Sequence, residues 1–132
     1  MTRKLLFFVS DGNINNILTT IMVATESMES ECEVSVILTE AAIPILIEGK
    51  LTLATPLEDY ARTIRKNLRE ITAGSKPMYE RATDAGVSLF VSEMWLQLLG
   101  FGKEMVPPQF EILPMQDIVK LIHESDIVIG KI

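Results

Sequence analysis

Cysteine and histidine each occur once in the chain, as Cys32 and His123. A single cysteine excludes an intramolecular disulfide, a CxxC redox pair and a cysteine-based zinc cluster. A serine nucleophile needs a neighbouring base, and His123, far along the last predicted helix, is poorly placed to serve one, which speaks against a Ser-His-Asp triad. Basic residues are also few: 12 Lys and Arg stand against 18 Asp and Glu, giving a net charge of −6 and a pI near 4.8. Nucleic acid is therefore not an expected partner, because binding phosphate needs clustered cations. Neither GxGxxG nor GxxxxGK[ST] is present, so the standard phosphate loops are missing. The apolar run in MTRKLLFFVSDG is too short for a signal peptide, and no segment reaches the ~20 apolar residues of a membrane span. No cofactor and no metal is expected, and the expected setting is the reducing cytoplasm.

What remains is a well-stocked core. Hydrophobic residues make up 48% of the chain and charged residues 23%, the composition of a globular protein. A chain of 132 residues is read as a single domain, 1–132, able to bury roughly two thirds of its unfolded surface. Lys4 to Ser10 is apolar without alternation, the pattern of a strand covered on both faces and central in a parallel sheet. Asp11 and Gly12 break it, and Asn13 is placed to cap a helix through about Met28 with Ile14, Ile17, Leu18, Ile21 and Ala24 or Thr25 inward. Glu33 to Thr39 reads as a second strand. AAIPILIEG then reads as a helix with Pro44 in its first turn or at a kink and Gly49 at its end. Leu51 to Pro56 is read as a connection, followed by a charged helix over about 57–71, a break at TAGSKP and a short helix closing on Gly86. That helical region between the second and third strands could be a lid, a contact surface or decoration. Arg62, Arg65, Lys66 and Arg69 fall on one helical face there, read chiefly as a solvated face.

The segment GVSLFVSEMWLQLLG carries the sharpest signal. Val87, Leu89 and Val91 alternate as in a strand, Ser92 stands where an N-cap would, and a helix follows with Glu93 in its first turn and Met94, Trp95, Leu98 and Leu99 at near-helical spacing. After the loop GFGKEMVPP come a strand at FEIL, a helix at MQDIVKLIHES with Ile118, Leu121 and Ile122 inward, and a fifth strand at DIVIG. Five strands separated by helices specify an α/β fold: a three-layer α/β/α sandwich around a five-stranded, mainly parallel sheet. Ligands of such sheets bind beyond the carboxyl ends of the strands. The polar residues that end the strands are Ser10, Asp11 and Asn13, then Thr39 and Glu40, then Ser92 and Glu93. Ser10, Asp11, Asn13, Thr39 and Ser92 are the candidate ligand-binding set.

In KLLFFVSDG, EVSVILTEAA, GVSLFVSEMWLQLLGF and EILPMQDIVKLIHESDIVIGKI, and in the order of its elements, the chain resembles the DsrE/DsrF-like family of small sulfur-relay proteins. The resemblance implies a reactive cysteine at the end of the third strand in members that carry sulfur, and Ser92 stands at that position, followed by Glu93. A serine hydroxyl forms no persulfide and is a poor nucleophile without a base. Cys32, before the second strand, is expected at the opposite end of the sheet as a small buried hydrophobe. The resemblance thus implies a non-catalytic subunit, either a homo-oligomer or the partner of a cysteine-bearing paralogue. The alternatives are a small-ligand or nucleotide-binding module at the sheet's rim, and an enzyme using Ser92 or Glu93.

Overall fold

A computed structural model of the chain describes residues 2–28, 31–49, 53–72 and 78–130, with the backbone alone for 68–72. In chain order the elements are β1 (Arg3–Val9), α1 (Ile14–Ser27), β2 (Cys32–Leu38), α2 (Ala42–Glu48), α3 (Ala61–Thr72), α4 (Met78–Asp84), β3 (Ser88–Ser92), α5 (Glu93–Leu98), β4 (Phe110–Leu113), α6 (Met115–Glu124) and β5 (Ile127–Ile129). Short 3₁₀ turns at Leu57–Tyr60 and Lys103–Met105 complete the described residues. The first of these takes up the start of the charged helix expected from residue 57, so α3 begins only at Ala61. Leu53 to Pro56 form no strand, and Ala54 N–H is tied to Asn15 Oδ1 at 3.2 Å. Leu51, Thr52 and most of the expected break, 73–77, lie outside the described residues.

The sheet order is β4-β3-β2-β1-β5, and every pair is parallel rather than mainly so. This order dictates where the helices go. From β1 to β4 the chain always steps towards the same edge, and right-handed crossovers then put every connecting helix on one face. The step from β4 back to β5, beyond β1, runs the other way and puts α6 on the opposite face. The two apolar clusters follow this division. Phe7, Val9, Val34, Val36, Leu38, Leu89 and Val91 face Ile17, Ile21 and Ala24 of α1, Ile43 and Ile45 of α2 and Leu96 of α5. Leu6, Phe8 and Ile37 face Ile118 of α6, with Phe90, Leu113, Leu121 and Ile122 against them. The α6 stripe thus falls as its spacing predicts.

The expectation that β1 is central needs correction. It is interior, flanked by β2 and β5, but β2 holds the middle position. An unbroken apolar run reports cover on both faces, which β1 has in Leu6 and Phe7, and does not report rank within the sheet. The far edge shows the same limit. Ile127, Val128 and Ile129 of β5 are 37%, 37% and 45% exposed although their sequence is as apolar as any core strand.

Candidate functional site

The carboxyl ends of the strands are aligned by register. Val9 pairs with Leu38 and Leu38 with Val91, so the residues one step on, Ser10, Thr39 and Ser92, occupy neighbouring positions across β1, β2 and β3. Their backbones are therefore about one strand spacing apart, ~4.8 Å. Thr39 N–H donates to Val9 O at 2.9 Å, and Ala41 N–H to Ser10 O at 3.1 Å, which fixes the β1 and β2 ends against each other. Thr39 is buried, and its Oγ1 has no hydrogen-bond partner. A buried, unpaired hydroxyl opposes folding, so Thr39→Val, which keeps the shape and removes the oxygen, should stabilise the protein by about 1 kcal/mol. A lower urea midpoint for this variant would show that the hydroxyl is paired in solution.

Ser92 is 1% exposed, and its Oγ accepts from Trp95 N–H at 3.5 Å as the N-cap of α5. The length of that bond marks it as weak. Ser92→Ala should therefore cost only about 0.5 kcal/mol, at the low end of N-cap replacements, as read from a denaturation curve. Beside it, Glu93 Oε2 lies 3.7 Å from Lys103 Nζ, so the loop after α5 brings a cation back to the helix N-terminus. At the other end of α5, Phe101 N–H reaches Leu96 O and Gly100 N–H reaches Gln97 O, the paired bonds of a Schellman cap. Gly100 has φ +77, the left-handed conformation this cap requires. β3 leads into α5 on one face and β4 into α6 on the other. In sheets of this type such a reversal is where a ligand crevice is expected, here beside Ser92 and Leu113, which are register partners.

At the β1 end the polar residues take a different arrangement. Asn13 occupies the N-cap position of α1 but its side chain makes no capping bond, contrary to expectation. Asp11 instead fixes the turn that leads into the helix: Oδ1 accepts from Asn13 N–H at 2.9 Å and Oδ2 from Asn16 Nδ2 at 2.6 Å. An aspartate two residues before the amide it binds closes an Asx turn, which leaves the asparagine side chain spare. A cavity of ≈ 500 Å³ opens here, lined by Phe8, Val9, Ser10, Asp11, Asn16, Thr20, Glu40 and Gly130. Glu40 enters it from a left-handed backbone, φ +50. The cavity gathers Ser10 and Asp11 of the expected set, while Asn13, Thr39 and Ser92 are not in its lining. Asn16 and Thr20, one turn apart on α1, were legible as helix positions but carried no signal for a site, and Gly130 read only as the end of a strand.

Cys32 begins β2 and pairs with Arg3, so it sits at the amino end of the sheet, opposite Ser92. It is half-buried rather than fully buried as expected. Arg62, Arg65 and Lys66 are exposed on α3, consistent with a solvated face; the side chain of Arg69 lies outside the described residues. Among the described residues no group of three or more His, Cys, Asp or Glu could hold a metal ion. No helix among them is long and apolar enough to cross a membrane.

Neither a protein-family model nor a curated protein matches the chain. Solved structures do. The crystal structure of the ychN protein from E. coli superposes with a TM-score of 0.62 at 13% identity, covering 98% of both chains. MTH1491 from Methanobacterium thermoautotrophicum, a protein of unknown function, superposes with a TM-score of 0.61 at 12% identity, covering 97% of this chain and 99% of that one. Both have the DsrE/DsrF-like fold, and the end-to-end likeness shows that this chain shares that fold.

Proposed function

We propose that this chain is a non-catalytic DsrE/DsrF-like protein of intracellular sulfur relay. It acts by assembly, with itself or with a cysteine-bearing paralogue, in the cytoplasm. The observation that carries this reading is the state of Ser92. At the strand end where the family resemblance calls for an accessible thiol stands a hydroxyl that is buried and occupied as a helix cap. A buried hydroxyl bonded to a backbone amide is neither a sulfur carrier nor an activated nucleophile. Glu93, the other residue of that strand end, has its carboxylate 3.7 Å from Lys103 Nζ, an ion pair that competes with a role as base. The chain's sole thiol, Cys32, is at the far end of the sheet.

The reading is tested by offering the purified protein a polysulfide donor and weighing the intact product. The expected spectrum shows no transferable sulfane sulfur. Uptake on Cys32 followed by transfer to an acceptor thiol would overturn the proposal. Ser92→Cys tests the position: if the surrounding crevice still admits a donor, that variant gains sulfur where the parent does not.

A second reading rests on the cavity at the β1 end. Ser10, Asp11, Asn16, Thr20 and Glu40 offer hydroxyl, amide and carboxylate groups around ≈ 500 Å³, enough for a small ligand. Two carboxylates disfavour a nucleotide's phosphates and favour a neutral or cationic polar molecule. A thermal-shift screen that includes amines and polyols tests it, since a ligand of the native state must raise the melting temperature.

A further inference from the structure

We infer that the β5 edge is the surface through which two copies of this chain join, pairing β5 antiparallel to β5 about a two-fold axis through Val128. This rests on the assembly reading above and gives it an address. Edge strands of folded proteins are defended by charge, proline, bulges or a covering element, because an open edge recruits another strand. Here the edge is Ile127-Val128-Ile129, with all three side chains exposed and none charged. The adjoining carboxylate, Asp126, is engaged within its own copy, accepting from Lys4 N–H at 2.8 Å.

The apolar character extends onto both faces beside the strand. On one face, Asn16 and Thr20 of α1 border the cavity with Gly130, so the same flank of the helix continues to Val23, which is 46% exposed. On the other, Leu121 and Glu124 of α6 turn towards Ser35 of β2, so the opposite flank, with Met115 and Val119 at 45% and 43% exposure, lies on the β5 side. The strip is thus bare strand in the middle and aliphatic helix flank on either side.

Two properties select a second copy over a foreign strand. The sequence Ile-Val-Ile reads the same in both directions, so a two-fold at Val128 sets Ile127 of one copy against Ile129 of the other, β-branched against β-branched. An axis normal to the sheet also keeps the α1 face of one copy continuous with the α1 face of the other, and the α6 faces likewise, an isologous arrangement. Two copies each carrying −6 repel overall, and an uncharged strip is where they can approach at least cost.

The test uses the full chain in sedimentation velocity. The expected parent species is a dimer or an even multiple of it, and Val128→Lys should shift it to a species half that size, weakening association by at least about tenfold. Leu98→Lys, at a 66% exposed position on α5, should leave the size unchanged. Val128→Cys in a Cys32→Ser background gives a readout that does not depend on tolerating lysine. Residues facing each other in antiparallel strands are about 4.5 to 5.5 Å apart at Cα, within disulfide reach, so oxidised glutathione should link that variant into a covalent dimer and leave Leu98→Cys unlinked. An oligomer untouched by Val128→Lys and unlinked through Val128→Cys would overturn the surface and leave the assembly reading standing. A parent that sediments as a monomer at every concentration would overturn the surface together with self-assembly, leaving the paralogue as the remaining partner of the proposed function.

Discussion

Replacing Leu96 with alanine should lower stability by about 3 kcal/mol, several times the cost of removing the Ser92 cap only four residues away. The difference follows from what holds α5 in place. The helix has six residues, far below the length at which a helix is stable in water on its own, so its existence depends on packing. Leu96 is its one buried residue, 1% exposed and set in the cluster with Leu89, Val91 and Phe110. Its carbonyl also accepts Phe101 N–H in the Schellman cap, so the position anchors both the core contact and the chain reversal into the following loop. Truncation leaves a cavity among strand residues that have paired backbones and cannot close over it. Chemical denaturation of Leu96→Ala beside Ser92→Ala measures the ranking directly. Equal losses would mean that the cap, rather than packing, holds the helix at the rim.

The same contrast explains what the sequence could and could not disclose. Periodicity marked α1 and α6 and their inward residues because a helix that buries one stripe must repeat it, as Ile17, Ile21 and Ala24 do, whereas in the short α5 it pointed to Met94, Trp95, Leu98 and Leu99 while Leu96 is the residue buried. Ser92 was legible as an N-cap because serine before an apolar helical run has a local reason to be there. Its neighbours in the row, Ser10 and Thr39, were legible as strand ends, but their alignment comes from the register between strands, which no local pattern encodes. Asn13 misled for a related reason. Its identity and place fit an N-cap, but whether the side chain makes the bond depends on the turn before it, where Asp11 binds the Asn13 amide and the Asn13 side chain caps nothing. The cavity drew on α1, β1, the turn after β2 and the end of β5, four places that meet only in the folded chain. The edge position of β5 was hidden because an apolar triplet reads the same whether it is covered by helices or open to a second copy.

Gly130→Ala should also cost about 3 kcal/mol, for a backbone reason. β5 runs beside β1 with Leu5, Leu6 and Phe7 opposite Ile127, Val128 and Ile129, so the next residue comes level with Phe8. Gly130 has φ +108, a region an L side chain rarely enters, and a Cβ there would press on the carbonyl oxygen of Phe8. That oxygen belongs to an interior strand paired on its other side with β2, so it cannot retreat as the end of a flexible side chain would. The strain is expected to fall on β5, which has three residues and pairs with one strand only, rather than on β1. Amide exchange should therefore quicken at Ile127 to Ile129 in Gly130→Ala while protection in β2 and β3 changes little, together with a lower urea midpoint. Because Gly130 also lines the cavity beside Ser10 and Asp11, loss of this close approach would open that cavity towards the β5 edge and couple its shape to the pairing surface. An unchanged midpoint with unchanged exchange would show that Gly130 does not hold β5 against Phe8.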